Sequence, residues 1–115
     1  MEYGVEIPKQ QFDDWITDLR SGKYRQGKNA LKEPYKGYCC LGVAMKTLNV
    51  KCTPGDMREA SLPNEIISTP QWLRDINSDF REKTGEYLSS LNDEKDFKFN
   101  EIADALEITY KYGWE

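Results

Sequence analysis

The stretch PKQQFDDWITDLRSG, residues 8–22, decides the reading of the fold. Phe12, Trp15, Ile16 and Leu19 fall at i, i+3, i+4 and i+7, one apolar stripe along a helix. Pro8 suits the first helical turn, where the amide it lacks would be unpaired anyway. Asp13 and Asp14 lie toward the positive end of the helix dipole, and Arg20 lies at the negative end. Gly22 supplies the left-handed stop. Asp14 and Asp18, four apart, share the outward, solvated face.

Downstream, CCLGVAMKTL reads as a short core helix over 39–48, with Leu41, Ala44, Met45 and Leu48 at helical spacing. Between the two helices, KYRQGKNALKEPYKGY is punctuated by Gly27, Pro34 and Gly37 and reads as a loop or hairpin. Residues 50–68 carry turn signals at Thr53-Pro54-Gly55-Asp56 and Leu62-Pro63-Asn64. A helix is expected from Ser68 or Thr69, with Pro70 at its first position and Trp72, Leu73 and Ile76 inward. Charge dominates 77–86, which reads as an exposed connection. Tyr87 to Leu91 reads as a strand or loop delivering Asn92 and Asp93. The final helix is expected over 100–112, with Phe99, Ile102, Ala103, Leu106 and Tyr110 inward and Gly113 as its stop. The fold class is therefore α+β: a compact, helix-rich single domain with a small hairpin or short sheet.

Composition narrows the chemistry. With 115 residues the chain suits one core, and three Trp, seven Tyr and four Phe exclude a disordered tail. Sixteen basic against twenty acidic residues give a net charge of −4, which argues against general DNA binding and against a strongly acidic DNA mimic. No histidine is present, so Ser-His and Cys-His nucleophile pairs and His-ligated zinc are excluded. No apolar run approaches the roughly 18 residues of a membrane span, and the polar, acidic stretch MEYGVEIPKQ offers no apolar run suited to a signal peptide, so none is expected. Cys39, Cys40 and Cys52 form no C-x-x-C pair and read as buried, reduced side chains of a cytoplasmic protein. No cofactor and no metal is expected. Asn92-Asp93-Glu94-Lys95-Asp96 fails as an EF-hand, because the sixth and twelfth positions from Asp93 are Lys98 and Asp104. It reads as a turn and cap before the last helix, with ligand contact by Asn92 or Asp93 left open.

The chemistry-bearing stretch is 23–38. Lys23, Arg25, Lys28, Lys32 and Lys36 stand against the single acid Glu33, among glycines and tyrosines. Arginine offers forked donors to phosphate, lysine a point charge, and tyrosine a face for a base. The candidate ligand set is Lys23, Tyr24, Arg25, Gln26, Lys28, Tyr38, Asn92 and Asp93. No Walker-type or dinucleotide-binding glycine pattern accompanies it, and no spacing of carboxylates singles out a catalytic pair.

The string Trp15-x-x-x-Leu19-Arg20-Ser21-Gly22-x-Tyr24-x-Gln26-Gly27, followed by Tyr38-Cys39-Cys40-Leu41-Gly42-Val43, resembles a family of small phage and prophage proteins. The later Leu91-Asn92-Asp93 and Phe99-Asn100-Glu101-Ile102-Ala103-Asp104 resemble that family's second element, so the likeness spans Trp15 to Asp104. Ala44-Met45-Lys46 departs from it, and so does the absence of glycine between Asp93 and Phe99. The resemblance implies an accessory protein acting against host defence in the infected cell. The expected function is sequestration of a nucleotide-derived immune signal, such as a cyclic ADP-ribose isomer or a cyclic oligonucleotide. A homo-oligomer could place the loop at a subunit interface. The alternatives are a protein-binding inhibitor of a host defence protein and, third, an enzyme that degrades the signal.

Overall fold

The computed structural model describes residues 6–27, 32–33, 37–50 and 69–110. These form a helix-rich α+β globule with helices α1 (Lys9–Arg20), α2 (Cys40–Thr47), α3 (Gln71–Thr84), α4 (Leu88–Asp93) and α5 (Phe99–Tyr110). Two two-residue strands, β1 (Lys32–Glu33) and β2 (Gly37–Tyr38), pair antiparallel, with Lys32 opposite Tyr38 and Glu33 opposite Gly37. None of the described helices is long and apolar enough to cross a membrane.

The stripe of α1 is buried as its spacing requires: Phe12, Trp15, Ile16 and Leu19 enter one core with most of α2 and with Ile102, Ala103, Leu106 and Tyr110 of α5. α1 packs against both of those helices. Phe12 meets Trp15 and Tyr110 edge-on, with centroids 6.1 and 6.3 Å away. Both tryptophan N–H groups in this core find acceptors, as indoles do when buried. Trp15 Nε1 donates to the Cys40 carbonyl (3.0 Å), and Trp72 Nε1 donates to Gln11 Oε1 (2.7 Å).

Pro8 and Pro70 each stand one residue before the first helical position, as N-caps. Their carbonyls accept the first helical bonds, from Phe12 and Leu73. Gly22, at φ +76°, supplies the left-handed stop after α1.

Two expectations are corrected. Residues 77–84 are no connection: they complete α3, because Phe80 continues the stripe of Trp72, Leu73 and Ile76 into the core. Lys83 pairs with Asp79 one turn back, and Asp79 also accepts from the Tyr110 hydroxyl (2.9 Å), joining α3 to α5. Gly85, at φ +83°, ends the helix. Residues 88–93 are neither strand nor loop but a helix, with Leu88 and Leu91 buried. The turns expected at 53–56 and 62–64, and Gly113, lie outside the described residues.

Candidate functional site

The segment after α1 is shaped by its own polar groups. Ser21 Oγ donates to the Asp18 carbonyl (2.8 Å) and accepts from the Lys23 backbone N–H (3.0 Å), which turns the chain out of the helix. The segment then runs beside β2 as a parallel bridge, Gln26 against Tyr38. Tyr38 N–H donates to the Arg25 carbonyl and Gly27 N–H to the Tyr38 carbonyl, both at 2.7 Å. β2 is thus flanked by β1 on one side and by residues 25–27 on the other. Gly37, at φ +143°, lies so close to the Arg25 carbonyl that any Cβ would overlap it.

Gln26 points inward. Its Nε2 donates to Asn92 Oδ1 (2.8 Å) and to the Phe97 carbonyl (2.7 Å), and its Oε1 accepts from the Phe99 N–H (3.1 Å). Asn92, fully buried, donates from Nδ2 to the Gly27 carbonyl and to Asp93 Oδ1, both at 2.8 Å. Both hydrogens of each amide therefore have partners, the condition for burying such groups without penalty. The network ties residues 26–27 to the turn between α4 and α5, across 66 positions of sequence. Asn92 and Asp93 close α4 rather than cap α5, where Glu101 instead accepts from the Lys98 N–H (2.8 Å).

The tyrosines are also engaged. Tyr24 and Tyr38 meet edge-to-face with centroids 5.3 Å apart, and both pack against the core. The Lys23 ammonium stands over the Tyr24 ring, 5.3 Å from its centroid. Lys23 and Arg25 are exposed, while Tyr24 and Gln26 are half-buried, so the segment alternates between solvent and protein. Lys28 lies outside the described residues, as do the side chains of Lys32 and Lys36.

The structure thus brings Gln26, Asn92, Asp93, Tyr24 and Tyr38 together as one internal assembly, with Lys23 and Arg25 on its outer side. Asp18, read from sequence as purely solvated, accepts from the Thr47 hydroxyl (2.7 Å) and links α1 to α2.

The adjacent cysteines serve different neighbours. Cys39 caps α2, its sulfur accepting from the Gly42 N–H at 3.4 Å. Cys40 donates from Sγ to the Leu88 carbonyl of α4 at 3.7 Å. Both are free thiols with no exposure. Burial pushes the Cys39 thiol up to about 11 and the Cys40 thiol well above its ordinary range, aided by the Asp93 charge. Thiols held protonated in this way are poor nucleophiles. Cys52 lies outside the described residues. Among the described residues, no group of three or more cysteines and carboxylates could hold a metal ion.

Residues 8–62 match the family model of a domain of unknown function, DUF8296. The match covers α1, the Lys23–Gly27 segment, both strands and α2, and it stops before Asn92. No curated protein and no solved structure matches the chain.

Proposed function

We propose that the protein binds an anionic, nucleotide-derived ligand without turning it over, through the outer side of the 23–27 segment. The observation that carries this reading is the division of labour in that segment. Its inward side chains are pinned by hydrogen bonds and ring contacts, while Lys23 and Arg25 are presented to solvent on a backbone bonded to β2. A cationic pair on a preorganised backbone loses little entropy on meeting a phosphate. The protonated, buried thiols and the absence of histidine support binding over catalysis. The resemblance to small phage and prophage proteins supports a role against host defence signals, with the protein acting as a sponge.

A thermal-shift screen against cyclic dinucleotides, cyclic trinucleotides and cyclic ADP-ribose isomers tests the proposal. A ligand at about 100 times its dissociation constant adds roughly 2.7 kcal/mol, several degrees for a domain of this size. The expected result is a shift with the ligand recovered intact, abolished in K23E/R25E. No shift across the panel overturns the reading, and a cleaved ligand converts it to an enzyme.

One observation favours an inhibitor that binds a host protein instead. Ile108 is 65% exposed on α5, one turn from Asp104, an apolar side chain on an acidic helix face. An interface there predicts capture of a host defence protein that I108D abolishes and K23E/R25E leaves intact.

A further inference from the structure

Within the proposed binding reading, on which this step rests, we infer that the 23–27 segment recognises the phosphates of its ligand and is indifferent to the bases. A protein reads a base in two ways: by stacking an aromatic face on it, or by matching its edge with paired donors and acceptors. Both means are present in this segment, and both are engaged internally. The Tyr24 ring is half-buried, packed against the core and held edge-to-face against Tyr38. The Gln26 amide has both hydrogens and its oxygen in bonds to Asn92, Phe97 and Phe99. The Asn92 amide is fully buried, with its hydrogens on Gly27 and Asp93.

What the described residues of the segment offer outward is charge. Arg25 presents a planar fork whose geometry matches two phosphate oxygens, and Lys23 presents a compact ammonium two positions away. Turning an amide outward to meet a base would strand the Phe97 carbonyl, the Phe99 N–H and the Gly27 carbonyl, each now paired with one of these two side chains. Selection among ligands therefore falls to the number and placement of their negative charges, and binding weakens as salt rises.

The test is titration calorimetry of the intact protein with cyclic di-AMP, cyclic di-GMP and cyclic di-UMP, which share two phosphodiesters and differ only in their bases. Base reading changes affinity by about tenfold or more per base. The expected result is three dissociation constants within about threefold of one another, all lost together in K23E/R25E, since no base contact separates them. Both substituted side chains are exposed, and a circular dichroism spectrum matching the parent protein shows that the variant is folded. A preference of about tenfold or more for one base overturns the inference and leaves the binding reading standing. Silence from all three, with a cyclic ADP-ribose isomer bound in the wider screen, fits selection by charge placement only if K23E/R25E abolishes that binding, and overturns the inference if the variant still binds. Silence from the whole screen overturns the parent reading.

Discussion

A Cβ on Gly37 would overlap the Arg25 carbonyl, and the backbone there sits at φ +143°, where side chains are strained regardless of space. Gly37→Ala is therefore expected to cost about 3 kcal/mol or more, combining backbone strain with forced separation of β2 from residues 25–27. Urea unfolding of the variant checks this, and a cost near zero would mean that the two segments part freely. Asn92 poses the complementary case of a polar group that must be present. Asn92→Leu leaves the Gly27 carbonyl and one Gln26 hydrogen without partners, so a loss of about 2–4 kcal/mol is expected. In a double-mutant cycle with Gln26→Leu, the combined loss should be smaller than the sum, because the two side chains share one bond. Additive losses would show that the pair acts independently. From sequence, Gln26 and Asn92 stand out as motif residues, but their mutual contact does not, since nothing local links positions 66 apart.

Among elements, α1 and α5 could be read from sequence because each carries one unbroken apolar stripe, and α2 because it is a continuous apolar run, buried from Cys40 to Met45. α3 was readable only in its first half. After Ile76 its single buried side chain is Phe80, and the charges around it mask the period. α4 is too short for a period to emerge, and one of its three buried residues is the polar Asn92. The contacts between helices differ in weight. Arg20 reaches from α1 to Asp104 and Glu107 on α5, and those bonds raise its pKa, but the Arg20 side chain is 37% exposed. Solvent screening limits such a pair to about 1 kcal/mol, so Arg20→Met should lower stability by no more than that. Trp15→Ala, which empties the contact between α1 and α2, should cost about 3–5 kcal/mol. Thermal melts of both variants check the ranking, and equal losses would contradict it.

For the whole molecule, the buried thiols Cys39 and Cys40 make stability depend on alkali. The Cys39 thiol is held up near 11 in the folded protein, against 9.0 for a free thiol, and Cys40 is raised as well. A group with a raised folded pKa contributes fully below its unfolded pKa and loses that contribution as pH climbs through the folded value. Stability should therefore hold below about pH 9 and fall between about 9 and 11. Urea midpoints across that range check this, and Cys39→Ala should flatten part of the fall. An identical slope in the variant would assign the loss to other groups.

The reach of the Gln26–Asn92 tie bears on where the autonomous folding unit ends. A boundary at residue 62, where the family match stops, would sever Gln26 from Asn92, Phe97 and Phe99 and strip α1 of the α5 face that covers it. A fragment cut there would inherit the recognisable sequence and leave behind the parts that allow it to hold a shape. The unit that evolution can transplant is accordingly longer than the stretch that sequence comparison matches.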